Sequence, residues 1–240
     1  MQADFTPLRQ VALSFLMNLA VFVGTRGRGS NLFAIHEATR QGRLNARVVL
    51  VVGSRNDAPA VARAREAGLP TLVVDPKGFA DTDAYGAALR GALDAAGAEA
   101  VALAGYLRRL PPVVVAAFQH RIVNVHPALL PAFGGKGMYG AHVHQAVLDY
   151  GAKVSGCTVH FVDEDYDTGP VITQRAVPVE EEDTPETLAA RILPQEHAAL
   201  VDALAWLADG RLRVEGRRVF VLPQPPAGVT EPFRTSQTVA

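Results

Sequence analysis

The sequence predicts an α/β protein built on a doubly wound, mostly parallel sheet, with a C-terminal extension of mixed strands and one long helix. Two observations predict it. Short β-branched runs alternate with alanine-rich amphipathic segments as far as residue 125, and glycines 42, 68 and 97 stand where three of those segments should stop. Such a βαβ rhythm implies right-handed crossovers, with ligands bound outside the carboxyl ends of the strands where strand order reverses.

The elements follow in order. Strands are predicted over Asn18–Val23, Val48–Gly53, Thr71–Val74, Ala100–Ala104 and Arg121–Val125. Helices are predicted over Leu32–Gln41, Ala58–Ala67, Thr82–Ala96 and Pro112–Phe118. A glycine-rich loop, Gly134–Gly140, precedes a helix over Ala141–Tyr150 and reads as a mobile lid. The pattern then changes to two long strands, Lys153–Asp163 and Pro170–Val179, joined by an acidic turn. A long helix over Thr184–Ala208 and a small hairpin about Glu215-Gly216 complete the chain. One domain is expected over residues 17–222, its phosphate-binding half at 17–120 and its catalytic and folate half at 121–222. Residues 1–16 are expected to be a loosely held extension and 223–240 a poorly anchored tail.

Composition narrows the function. The chain has 240 residues, 49% of them hydrophobic, and a formal net charge of -1, so no cationic surplus favours nucleic acid. The apolar stretch Val11–Val23 is too short to span a bilayer. The single Cys157 rules out an internal disulfide and suits a reducing compartment, so a cytoplasmic protein acting on small molecules is expected.

Three motifs carry chemistry. Asn124 and His126 end the fifth strand two residues apart, hence on one face, and Pro127 stops the ladder after them. An amide donor beside an imidazole suits a carbonyl that becomes an oxyanion while a proton moves. Gly24–Asn31 follows the first strand and opens a helix, offering backbone N–H groups and a helix dipole to a phosphate. It matches neither the dinucleotide fingerprint nor a Walker loop. Asp167, before Thr168-Gly169-Pro170, can reach an imidazole from across the sheet and is expected to raise its pKa. His160 reads equally as a hydrogen-bonded core histidine or a ligand. His142 and His144 lack an obvious third ligand, so no metal is predicted. Glu196, in mid-helix, reads by itself as an exposed salt-bridging side chain.

Together, Gly-Arg-Gly-Ser-Asn at 27–31, Leu-Ala-Gly-Tyr-Leu-Arg at 103–108, Asn-Val-His-Pro-Ala-Leu-Leu-Pro at 124–131, Ser-Gly-Cys-Thr-Val-His-Phe-Val at 155–162, Asp-Thr-Gly-Pro at 167–170 and Gln-Glu-His at 195–197 resemble the phosphoribosylglycinamide formyltransferases. The resemblance covers about residues 17–222 and implies a Rossmann-like formyltransferase fold. It implies formyl transfer from 10-formyltetrahydrofolate, a co-substrate, to the amine of 5'-phosphoribosylglycinamide in purine synthesis, without a metal. Carried onto this chain, it implies that Gly29, Ser30 and Asn31 hold the substrate phosphate and that Glu196 contacts the ribose. Leu107, Arg108, Arg109 and Leu110, with Asn124, would contact folate, and Asn124, His126 and Asp167 would be catalytic. Some relatives place an arginine where this chain has Thr82 to meet the folate glutamate tail; Lys77 is the candidate substitute.

The resemblance extends to two other formyl-folate enzymes. A methionyl-tRNA formyltransferase would need a further C-terminal domain and a basic surface, and a formyltetrahydrofolate deformylase an added N-terminal domain; neither is expected here. A non-catalytic phosphosugar-binding module is the reading from a different class. A monomer or homodimer is expected.

Overall fold

The computed structural model describes residues 16–224. The expected extension at 1–16 and tail at 223–240 fall outside the described residues except for residues 16, 223 and 224. A nine-stranded sheet runs in the order β3-β2-β1-β4-β5-β6-β7-β9-β8. Its strands are β1 (Met17–Val23), β2 (Ala46–Gly53), β3 (Thr71–Val73), β4 (Ala100–Ala104), β5 (Ile122–His126), β6 (Val154–Phe161), β7 (Val171–Pro178), β8 (Leu212–Glu215) and β9 (Arg218–Val221). The helices are α1 (Ser30–Arg40), α2 (Pro59–Glu66), α3 (Thr82–Ala95), α4 (Pro112–Ala117), α5 (Ala141–Tyr150) and α6 (Pro185–Ala208). Each predicted element is present with ends shifted by only a few residues.

Period-two burial explains why β1 sits at the centre. Leu19, Val21 and Val23 join one apolar cluster with residues of α1, α2, α5 and α6. Ala20 and Phe22 turn to the other face, into a second cluster with α3 and α4. A strand covered on both faces must be apolar throughout, and this one nearly is. Gly42, Gly68 and Gly97 follow α1, α2 and α3 with φ of 69°, 72° and 62°, the left-handed geometry that ends a helix. Thr184 caps α6 by accepting from the Thr187 N–H, while the Thr187 hydroxyl accepts from the Thr184 N–H.

Strands β1 to β5 pair in parallel, and β1 pairs with both β2 and β4, so the connections diverge there. β5, β6 and β7 pair antiparallel, β9 joins β7 in parallel, and β8 closes a hairpin with β9. The chains leaving β1 and β4 approach closely. A Cβ on Gly24 would lie 2.1 Å from the Gly105 carbonyl oxygen, which only glycine avoids.

Gly24→Ala is therefore expected to lower unfolding stability by about 1–3 kcal/mol, the usual cost of overpacking. Gly91→Ala, in the exposed face of α3 with nothing within 4 Å of the new methyl, should raise it by about 0.5–1 kcal/mol. Urea unfolding of both variants measures the contrast; equal effects would contradict it.

Candidate active site

A cleft of about 770 Å³ opens outside the carboxyl ends of β1, β4 and β5. Arg26 reaches it from beyond β1, Leu103 and the 105–110 segment from β4, and Asn124 to Pro127 from β5. Gly135–Ala141 and Asp163 with Asp165–Asp167 form other walls, and Asn31 and Glu196 reach in from α1 and α6.

Strand pairing positions the central groups. Asn124 stands opposite His160, and His126 opposite Thr158, in the antiparallel β5–β6 register. Buried Thr158 holds the turn that follows: its hydroxyl donates to the Ala128 carbonyl at 2.6 Å and accepts from the Leu130 N–H at 3.0 Å. The Gln174 amide, from β7, donates to the Leu130 carbonyl and to the Thr158 hydroxyl, each at 2.9 Å. These bonds hold the Pro127–Leu130 turn against β6 and β7.

The hydrogen bonds assign protons to the rings. His160 Nδ1 donates to the Phe161 carbonyl at 2.8 Å, so its Nε2 accepts from the Asn124 amide at 3.1 Å. Asn124 keeps its second amide proton for the cleft. His126 Nε2 donates to the Phe133 carbonyl at 2.8 Å, leaving Nδ1 as the neutral ring's lone pair, 3.5 Å from Asp167 Oδ2. The same carboxylate oxygen accepts the Gly135 N–H at 2.9 Å.

One expectation is corrected here. Asp167 does pull the His126 pKa upward, but burial of the ring outweighs it and the net direction is down. Burial thus favours the neutral imidazole. Burial pushes the Asp167 carboxyl up, yet the His160 and His126 rings, which lie 3.6 and 3.5 Å from it and attract its charge when protonated, together with the Gly135 N–H outweigh it and hold the group below its ordinary value. The site therefore pairs an ionised carboxylate with a neutral imidazole across a gap one proton would fill.

On the opposite side, α1 begins at Gly29, whose φ of 75° turns the chain into the helix, and no side chain caps it. Asn31 donates to Glu196 at 3.3 Å, while its buried Oδ1 has no partner among the described residues. Gly29 and Ser30 lie at this helix start without lining the cleft, unlike Asn31. Glu196 is half-buried rather than an exposed salt-bridging residue, and burial raises its pKa. Leu107, Arg108, Arg109 and Leu110 all line the cleft, as does Tyr106, whose hydroxyl is bonded to that of Tyr85 at 2.9 Å. Lys77 is exposed in a short 3-10 turn and does not line the cleft. Among the described residues, no group of three or more His, Cys, Asp or Glu side chains is arranged to hold a metal.

The family model for formyl transferases matches residues 17–204, from the first residue of β1 into α6. The chain belongs to the formyl transferase family. It is 46% identical over 196 residues to a chloroplastic phosphoribosylglycinamide formyltransferase of Arabidopsis thaliana, covering 81% of this chain and 66% of that protein. It thus spans just under two thirds of that plant relative. The Escherichia coli (strain K12) phosphoribosylglycinamide formyltransferase is 36% identical over 214 residues, which are 88% of this chain and 98% of that one. A crystal structure of glycinamide ribonucleotide transformylase 1 from Symbiobacterium toebii superposes with a TM-score of 0.81 at 44% identity, covering 87% of this chain and 95% of that one.

Two histidines whose roles the sequence left open, His160 and His144, prove to line this cleft. His160 proves to be hydrogen-bonded and to line the cleft as well, and its register opposite Asn124 is the signal that finds it. His144 is buried on α5 with Nδ1 lacking a partner among the described residues, and it too lines the cleft. Its position between buried Val143 and Val147 marks the inward face of the helix.

NMR titration of the imidazoles should give His126 a pKa below the ordinary histidine value of about 6.5. Asp167→Asn should lower it further, because the carboxylate opposes burial more strongly than the hydrogen bond to the Phe133 carbonyl does. A rise in that variant would contradict the assignment.

Proposed function

We propose that this chain transfers the formyl group of 10-formyltetrahydrofolate to the amine of 5'-phosphoribosylglycinamide in purine biosynthesis. The observation that carries the reading is the convergence of Asn124, His126 and Asp167 in one cleft, between the Leu107–Leu110 wall and the start of α1. Leu103, Leu107, Leu110, Val125 and Val162 offer apolar surface for a folate ring. The uncapped α1 start at Gly29, Ser30 and Asn31 suits a phosphate, with Arg26 at its edge of the cleft. Glu196 takes ribose hydroxyls. Residues 17–222 work as one unit, the earlier half supplying the phosphate site and the later half the catalytic groups.

The mechanism uses the proton positions. The neutral amine attacks the formyl carbon, forming a C–N bond and an oxyanion that accepts the second Asn124 amide proton. His126 Nδ1, bare in the resting state, takes the amine proton directly or through a water, and Asp167 stabilises the imidazolium. The same proton then passes to the departing folate nitrogen as its bond to the formyl carbon breaks. No covalent enzyme intermediate forms.

A deformylase would use water in place of the amine and release formate. The unpartnered Asn31 Oδ1 beside Glu196 favours an acceptor with hydroxyl or amide groups of its own. A non-catalytic phosphosugar module would have no use for a carboxylate and imidazole poised around one proton. No helix among the described residues is long and apolar enough to cross a membrane. The free, buried Cys157 fits the reducing cytoplasm, and we assign the chain there as a monomer or homodimer.

The test is formyl transfer from 10-formyltetrahydrofolate to glycinamide ribonucleotide, with free formate as the measure of hydrolysis. Product without stoichiometric formate is expected; formate alone would make this a deformylase. His126→Ala and Asp167→Ala should each remove nearly all turnover while circular dichroism stays that of the parent. Asn124→Ala should cost on the order of a hundredfold or more, the usual loss of one oxyanion donor.

Because His126 accepts the proton, kcat/KM should rise with pH from the acid side and level off, with its midpoint below about 6.5. The sign follows from burial, which favours the neutral ring. A kcat/KM that falls across that range would point to a required imidazolium instead.

A further inference from the structure

Arg109 stands in the folate wall, but its side chain is engaged elsewhere. Its Nε donates to the Glu164 carbonyl oxygen, its terminal nitrogen lies 3.4 Å from the Asp165 carboxylate, and its backbone N–H donates to the Tyr166 hydroxyl at 3.2 Å. Its neighbour Arg108 also lines the cleft and forms neither a hydrogen bond nor an ion pair with any described residue. Of two adjacent arginines, one is free to meet a ligand and the other is committed to the protein.

The segment Arg109 grips is a compact unit. Asp163 accepts from the Thr168 hydroxyl at 2.6 Å and from the Asp165 N–H at 3.3 Å, tying the turn to itself. Arg217 donates to the Thr168 carbonyl at 2.8 Å, holding its far end. Between them Asp167 takes a φ of 57°, unusual for a residue with a side chain, so its carboxylate depends on the turn staying in place. Both Leu107–Leu110 and the turn line the cleft, and Arg109 joins one to the other.

Resting on the formyl-folate reading above, we propose that Arg109 is a positioning residue: it latches the 163–168 turn, and with it Asp167, to the folate wall. The exposed ion pair to Asp165 contributes little in water. The directed bonds to the Glu164 carbonyl and from the backbone to the Tyr166 hydroxyl hold the latch. Lysine has no donor at the Nε position and no planar fork with which to meet the Glu164 carbonyl and the Asp165 carboxylate together.

Five forms distinguish a latch from a charge that binds folate carboxylates: the parent, Arg109→Ala, Arg109→Lys, Tyr166→Phe and Arg109→Ala combined with Tyr166→Phe. Hydrogen exchange of the 163–168 amides in the unliganded protein should quicken in both Arg109 variants, with thermal midpoints near the parent's. KM for the formyl donor should rise roughly five- to tenfold in both, in line with one or two lost hydrogen bonds. The rise should be the same for 10-formyltetrahydrofolate and for 10-formyltetrahydropteroate, which lacks the glutamate. Adding Tyr166→Phe should cost less than its effect in the parent.

Unchanged exchange overturns the latch. So does Lys restoring the parent KM, a loss confined to the glutamate-bearing donor, or full additivity with Tyr166→Phe. A parent protein that transfers no formyl group would refute the proposed activity, and the exchange result would still decide the latch.

Discussion

The pairing of β5 with β6 is the constraint on which the rest of the site depends. β5 is the last strand of the parallel run, and its free edge is completed by a strand running the other way. That register sets Asn124 against His160 and His126 against Thr158. A slip of one residue would turn these side chains to the opposite face and separate them from Asp167. Thr158 and Gln174 then hold the turn after β5, so the imidazole sits on a strand whose exit is itself bonded to two neighbouring strands.

Two opposed electrostatic effects meet at His126. Burial favours the neutral ring, and the carboxylate beside it favours the charged one. Burial prevails at rest, whereas the carboxylate becomes useful when a proton arrives, because the imidazolium then has a partner 3.5 Å away. In the proposed mechanism a ring already charged at rest could not accept the proton. Gly135 has a part in this balance, since its N–H helps keep Asp167 ionised and ties the glycine-rich loop to the carboxylate. The Phe133 carbonyl ties the same loop to the ring. The segment read in sequence as a mobile lid is therefore anchored at its beginning to both groups.

Much of the fold was legible because its signals are local. β-branched runs, alanine-rich amphipathic segments and terminal glycines each reflect a conformational preference of a few adjacent residues. The i, i+2 spacing of Asn124 and His126 is equally local. Glu196 was not legible from its own surroundings, because a glutamate in mid-helix looks the same whether it faces solvent or Asn31. His160 was ambiguous for a related reason: alternation shows that it faces one side of β6, but not which strand lies beside it.

The α/β class, the order of elements, the glycine-rich turn into the first helix and, through six motifs in order, the family were all carried by the chain's local pattern. These depend on residues near one another in the chain or on their succession. The burial that lowers the His126 pKa, the engagement of Arg109 by the acidic turn, and the joining of Asn31 to Glu196 across 165 residues arise only in the folded chain. Burial and hydrogen-bond partners are properties of the packed chain, and the energies they change become defined only when distant segments exclude water from the same space.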